Sequence, residues 1–334
     1  MLGPQIWKTL GQGTGVPAGL VVLRLHPESR FNVFAAYEAA TTRRFLLIKS
    51  TRNDVRPRRP LPAGRGFRVR FVVNAVDPDG ASSLQFELID PTHADVFDVI
   101  GNNVLAHVLA SPDDKGAFEA FIAQIDEWQR FLDALPGDGL SPQARQGLFA
   151  ELWFMREFLL REQTPANAVG SWAGPRAQAK DFQFSGLAVE VKSSAAKEHS
   201  RFGISNELQL DAQSVGRLLL CGVLLEPLTA GGTSLPEVIE AIRHSLAGDR
   251  AAFREFSDKL LQTGYRDIDA QNYVERFAVR SLRFFDVRDD FPRIVASDLR
   301  AGVGDVKYSI LLSECERFRV PDDAARLLIQ QARP

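Results

Sequence analysis

The sequence predicts an α/β protein in two regions: a strand-rich N-terminal region, residues 1–113, and a second region of helices and strands, residues 114–334. Three observations lead there. Short apolar or alternating runs fill the first hundred residues, several of them separated by Pro, Gly and Asp clusters. A long apolar stripe at 3.6-residue spacing follows. Two-residue alternation then returns around a turn dipeptide, ahead of a nearly continuous apolar run. Single cores stop growing near ~250–300 residues, so a chain of 334 has length enough to divide.

Strands are expected at 19–25, 31–36, 44–50, 67–75 and 83–89, as in a meander. The stripe Phe118, Phe121, Ile122, Ile125, Trp128, Phe131, Leu132 and Leu135 predicts a helix over 113–135. After a Pro-Gly-Asp-Gly break, Ser141 and Pro142 open a helix that runs to about residue 161. Strands are expected again at 181–184, 187–193, 201–205 and 217–225, the last buried on both faces. Ser234 and Glu237 form a capping box for a helix over 234–246, and a second helix covers 250–263. Residues 273–287 and 306–312 complete the strands.

Hydrophobic residues make up 45% and charged residues 25% of the chain, as in ordinary globular proteins. The net charge of −2 confines any nucleic-acid contact to a local basic patch. Cys221 and Cys315 stand far apart, and His26, His93, His107, His199 and His244 form no metal-binding spacing. Metal chemistry here would use oxygen ligands, which favours Mg²⁺ or Mn²⁺ over zinc. The first residues lack the pattern of a signal peptide, and the longest apolar run, 218–225, is too short to span a bilayer. A cytoplasmic protein without a membrane partner is expected.

The chemistry concentrates in Leu187-Ala188-Val189-Glu190-Val191-Lys192. In a strand, Val189 and Val191 turn to one face while Glu190 and Lys192 share the other. With Ser185-Gly186 as a two-residue turn, Phe184 faces Leu187, Phe182 faces Val189 and Asp181 faces Glu190. Residues directly opposite stand roughly 4.5–5.5 Å apart at Cβ, where like charges are unfavourable. A divalent cation between the two carboxylates reverses that penalty. Lys192 then has three roles open to it: orienting the attacking water, deprotonating it, or stabilising the transition state. One element upstream, Glu151 falls within the apolar stripe of Leu148, Leu152, Met155 and Leu159, where an unpaired carboxylate is expensive. Glu-x-Lys alone is unspecific, because alternating strands produce it constantly; the set with Asp181 and Glu151 is far more selective.

Residues 180–193, preceded by the helix segment 147–154, resemble the PD-(D/E)XK nuclease superfamily. Most of the chain is similar to a bacterial family of PD-(D/E)XK motif proteins associated with restriction and phage defence. The resemblance implies a restriction-endonuclease-like mixed-sheet core flanked by helices. It implies catalytic roles for Glu151, Asp181, Glu190 and Lys192, with Asp181, Glu190 and Glu151 as metal ligands. Lys180 stands where the motif's name has proline, a position that varies in the superfamily. Some members use a glutamine after the third strand, and Gln209 matches that place. The function implied is Mg²⁺- or Mn²⁺-dependent cleavage of double-stranded DNA in a restriction or phage-defence system. A homodimer and partner proteins such as a methyltransferase or an ATPase are compatible with it. The alternative is a non-catalytic DNA-binding or scaffold subunit that keeps the fold.

Other features are weaker. Gly11-Gln12-Gly13-Thr14-Gly15 has no strand before it and no GK[ST], so a loop is expected rather than a phosphate site. Thr92 and Asp95 read as a helix start rather than as part of a metal cluster. Residues 43–70 hold ten basic residues against one acid, Asp54. Within them Arg56-Pro57-Arg58-Arg59-Pro60 reads either as a solvated loop or as an arm that contacts DNA phosphates. Arg176, Lys180, Lys197 and Arg201 would extend such a surface.

Overall fold

A computed structural model describes residues 2–12, 20–52, 55–64, 66–73, 82–134, 139–173, 180–195, 201–213 and 215–333. The chain forms two compact units, Met1–Gly137 and Asp138–Pro334.

The first unit begins with α1 (Pro4–Gln12) and continues through β1 (Leu20–Leu25), β2 (Asn32–Glu38), β3 (Arg43–Ser50), β4 (Ala63–Gly64), β5 (Phe67–Val73) and β6 (Ser82–Leu88). These strands make one antiparallel sheet in the order β1-β2-β3-β6-β5-β4. Two helices follow, α2 (Ala94–Leu109) and α3 (Asp114–Ala134). Alternation puts Val33, Ala35, Leu46, Ile48, Leu84 and Phe86 on one face, all buried. The helices cover that face: Phe97 of α2 stacks on Phe86 at 4.8 Å, and Phe118 of α3 meets Phe71 edge-on at 6.4 Å.

Three local expectations change in this unit. Gly11 and Gln12 belong to α1, which Pro4 opens, while the rest of that glycine cluster lies outside the described residues. Asp90, not Thr92, caps the turn before α2, accepting from the Thr92 backbone N–H at 3.0 Å with Pro91 at the first position. The helix over 113–135, grouped by sequence with the second region, packs beside α2 and closes the first unit. Its stripe needs an apolar partner, and the sheet under α2 supplies it.

The second unit runs α4 (Pro142–Phe154), α5 (Leu160–Glu162), α6 (Pro165–Ser171), β7 (Phe182–Phe184), β8 (Leu187–Ser194), β9 (Arg201–Ile204), β10 (Arg217–Leu228) and β11 (Thr233–Ser234). It continues with α7 (Leu235–Ser245), α8 (Arg250–Gln262), β12 (Arg276–Asp286), β13 (Tyr308–Leu311), α9 (Leu312–Cys315), β14 (Arg319–Val320) and α10 (Asp322–Gln331). Its main sheet has the order β11-β12-β10-β8-β7 and is mixed: β8 and β10 are parallel, while the other neighbours are antiparallel. β14 adds to β12. The apolar run of residues 218–225 fills the middle of β10, the central strand, as its two-sided hydrophobicity requires. Leu219, Cys221, Val223 and Leu225 join Leu148, Phe149, Val238, Ile239, Phe256 and Ile329 in one core. Leu218, Leu220 and Leu224 join Phe202, Ile204, Leu210 and Ile310 in another on the opposite face.

The protein is therefore a mixed α/β fold with an antiparallel N-terminal sheet and a helix-flanked mixed sheet. The capping box at Ser234 and Glu237 forms as expected. Among the described residues no helix is long and apolar enough to cross a membrane.

Candidate active site

The β7–β8 hairpin carries the motif. Its turn, Ser185-Gly186, places Gly186 at φ +76°, which a glycine adopts without strain. The register is Phe182↔Val189, Gln183↔Ala188 and Phe184↔Leu187, so Asp181, one residue before β7, follows on across from Glu190. Phe182, Phe184, Leu187, Val189 and Val191 all enter the same core, leaving Glu190 and Lys192 on the other face. Hydrogen bonds fix Asp181 twice. Its Oδ2 accepts from the Val191 backbone N–H at 2.7 Å, and its carbonyl accepts from Ala173 N–H at 2.8 Å.

Glu190 is fully buried. Lys192 Nζ stands 2.7 Å from its Oε1, an ionic contact outside hydrogen-bond geometry. Its Oε2 has no hydrogen-bond partner among the described residues. Burial raises the Glu190 carboxyl to about 8, the Asp181 charge adds to the rise, and Lys192 and Lys180 pull against it. Asp181 is raised too, first by burial, with Lys192 and the Val191 N–H opposing. Burial pushes the Lys192 ammonium down, but Glu190, Asp181 and Glu151 outweigh it and hold the net value above that of a free lysine.

Glu151 comes from α4, which packs against β8. Ser141 caps this helix by accepting from the Ala144 N–H, with Pro142 at its first position. Gln146 Nε2 donates to Ser193 Oγ at 3.1 Å, tying α4 to the end of β8. Glu151 Oε2 accepts from the indole N–H of buried Trp172 at 3.0 Å. Part of the residue's surface stays open, yet its carboxyl is desolvated enough to rise to about 8, helped by the charges of Asp181 and Glu190. After Phe154 the helix widens into a π-helical turn over Met155–Leu159, which lets Met155, Phe158 and Leu159 all turn inward.

The donor set is all oxygen, with one orphaned buried carboxylate atom and three carboxyls raised first by burial, the charge of Asp181 adding to the rise of the other two. That composition suits a hard divalent cation between Asp181 and Glu190. Among the described residues no group of three His, Cys, Asp or Glu is arranged to hold a metal ion.

Lys180 is a residue whose place sequence reasoning missed. Read as part of a basic surface, it is instead buried, 3% exposed, and donates to the Leu208 carbonyl. Its charge lies close enough to Glu190 and Asp181 to be felt by both. Trp172, the partner of Glu151, carried no sequence signal either. Gln209 sits in the turn after β9, its Oε1 accepting from the Ser205 N–H at 2.8 Å.

Arg56, Arg58 and Arg59 belong to the first unit, outside helices and strands, and all three are exposed. Arg56 lies over the Phe71 ring at 5.8 Å, and Arg59 Nε is 3.6 Å from Glu119 of α3. Among the described residues, Glu119, an acid that offsets this basic stretch, comes from outside it in sequence. Asp54, Arg65, Arg176 and Lys197 lie outside the described residues.

Residues 4–313 of the chain match the family described as "Putative PD-(D/E)XK family member, (DUF4420)". No curated protein and no solved structure matches the chain.

Proposed function

Because the chain belongs to this PD-(D/E)XK family, we propose that it is a divalent-metal-dependent nuclease that hydrolyses phosphodiester bonds of double-stranded DNA, in restriction or phage defence. The observation that carries this reading is the buried Glu190 carboxylate across the hairpin from Asp181, with Lys192 Nζ 2.7 Å away. Asp181 and Glu190 would hold the metal, Mg²⁺ or Mn²⁺ by their hard oxygen donors. When bound, that ion supplies Lewis-acid polarisation of a phosphate oxygen and a lowered pKa for water.

The chain's own residues divide the remaining work. The Val191 N–H fixes the Asp181 carboxylate in one orientation. Lys192 stays protonated among three carboxyls, so it acts as a cation: it orients water by donation and offsets charge growing on the phosphate. General-base catalysis by this lysine fits poorly with a raised pKa. Glu151, anchored by the Trp172 indole, places a third carboxyl beside the pair. Arg56, Arg58, Arg59 and Gln209 are proposed DNA contacts.

The test is cleavage of plasmid DNA by wild type, Glu190→Ala and Lys192→Ala in Mg²⁺ and in Mn²⁺. Wild type should nick or linearise the plasmid, and both variants should lose at least about 100-fold in rate, the usual scale for one preorganised charged group. Wild-type rates in Lys192→Ala would remove the lysine from the site. A wild type inert in either metal would leave the scaffold reading.

A further inference from the structure

We propose that the face of the N-terminal sheet opposite its helices is a platform for the phosphate backbone of duplex DNA, centred on Arg68 and Arg70 at its β5 side and held in shape by Glu87. The proposal takes its substrate class from the nuclease reading and adds a surface to it.

Alternation and register assign the face. The helices cover Leu46, Ile48 and Phe86. The opposite face carries Arg24 of β1, Glu38 of β2, Arg43 and Lys49 of β3, Glu87 of β6, and Arg68 and Arg70 of β5. Among the described residues five cations thus stand with two carboxylates, in a chain whose net charge is −2.

Glu87 is 1% exposed and gathers three guanidiniums. Its Oε1 accepts from Arg43 Nη1 at 2.5 Å, and its Oε2 accepts from Arg68 Nε at 3.0 Å. Arg68 Nη2 is 2.9 Å and Arg70 Nε 3.4 Å from the same Oε2. Arg43 also donates to Glu38, through Nε at 3.0 Å and Nη2 at 2.7 Å, and its Nε is shared with Thr41 Oγ1 at 2.9 Å. Arg68 commits one edge and Arg70 only Nε, while their side chains are 39% and 46% exposed. A guanidinium has five donors in a planar fork, so both retain N–H groups that point past Glu87.

Two carboxylates, Glu38 and Glu87, among three guanidiniums leave a net positive charge, which an added anion relieves. Holding the forks in place beforehand lowers the ordering cost of binding that anion. Its shape follows from the spacing. Strands stand about 4.8 Å apart, so the cations from β1 to β5 spread over roughly 19 Å. A single small anion cannot span that distance. A duplex, with one charge per about 1.7 Å of axis, can. Contacts of this kind position the duplex and read no bases.

The experiment is fluorescence anisotropy of a labelled duplex with the full chain, in chelator, across a salt series. Arg68→Gln/Arg70→Gln should weaken binding about tenfold and flatten the log–log salt slope by about 1.8, equally for two unrelated sequences. Arg68→Lys/Arg70→Lys should recover most of the slope. The single variant Arg70→Gln, which loses only the 3.4 Å contact, should show about half the slope change without a shift in melting temperature. An unchanged slope overturns the platform, as does a loss confined to one sequence or displacement of DNA by polyglutamate at equal charge. A wild type that binds duplex in this way but never cleaves it defeats the nuclease reading and keeps the platform. A wild type that cleaves, with variants that bind and cleave as it does, defeats the platform alone.

Discussion

Glu151 is where the catalytic and structural readings of one side chain diverge most sharply. Its carboxyl rises to about 8, first through burial and then through the charge of Asp181, while the Trp172 N–H and Lys192 pull it back. A carboxyl raised by folding keeps its proton after the unfolded chain has lost it. The fold then binds more protons, and stability falls as pH climbs from the ordinary value of 4.5 to about 8. Each such group costs about 1.4 kcal/mol per pH unit within that window. Glutamine cannot ionise, yet its amide oxygen can still accept from the Trp172 indole. Glu151→Gln should therefore match wild type near about pH 5 and exceed it near about pH 8.5, both in chelator. The measurement is a pair of thermal melts. If Glu151 serves only as the acceptor for Trp172, disturbing it costs about 1–3 kcal/mol at both pH values, and a variant weaker at both would take Glu151 out of the site.

At the scale of elements, the site depends on how β8, β9 and β10 stack. Gly222 of β10 pairs with Lys192 of β8 in parallel register. A Cβ at Gly222 would come within 2.4 Å of Phe202 Cζ, so this glycine makes room for the far end of the fully buried Phe202 ring of β9. Gly222→Ala should destabilise the protein by about 1–3 kcal/mol through overpacking, or about 2–4 °C in melting temperature per kcal/mol. Combined with Phe202→Leu, which vacates the ring, much of that cost should vanish. An unchanged cost in the double variant would place the strain elsewhere. The same elements explain what the sequence revealed and what it hid. Asp181, Glu190 and Lys192 were legible because a period of two and a two-residue turn fix face and register locally. The burial of Lys180 was hidden, because its acceptor, the Leu208 carbonyl, lies 28 residues downstream. The affiliation of α3 was hidden too, since an apolar stripe states that a helix packs but not against what. α6 and α10 went unanticipated for a related reason. α10 is short and polar overall, and its inward residues Ala325 and Ile329 gain meaning only once the core they enter exists.

For the whole molecule, the second unit holds a charge imbalance that folding cannot resolve alone. Glu190 and Glu151 both rise to about 8, and Asp181 rises with them. Lys192 is raised from the ordinary lysine value by the surrounding carboxyls, and Lys180 is lowered by burial. Between about 4.5 and about 8 the metal-free protein should thus lose stability as pH rises. A divalent cation needs its carboxylates deprotonated, so protons compete with it in the same window. Added Mg²⁺ should raise the melting temperature little near about pH 6 and increasingly toward about pH 8.5, following RT ln(1 + [Mg²⁺]/Kd) as the apparent Kd falls. At neutral pH, titration calorimetry in buffers of different ionisation enthalpy should reveal protons released on binding. Asp98 of the first unit is raised to about 6 by burial, and its titration adds its own slope to every melt. The Mg²⁺-dependent increment removes that contribution, because Asp98 titrates alike with and without metal. Asp181→Asn supplies the control: its amide oxygen can keep the Val191 N–H contact while one ligand charge is gone. It should abolish the increment and the proton release together. An increment of equal size at both pH values, or one that survives in Asp181→Asn, would move the cation away from the hairpin and leave the raised carboxyls without a metal to explain them.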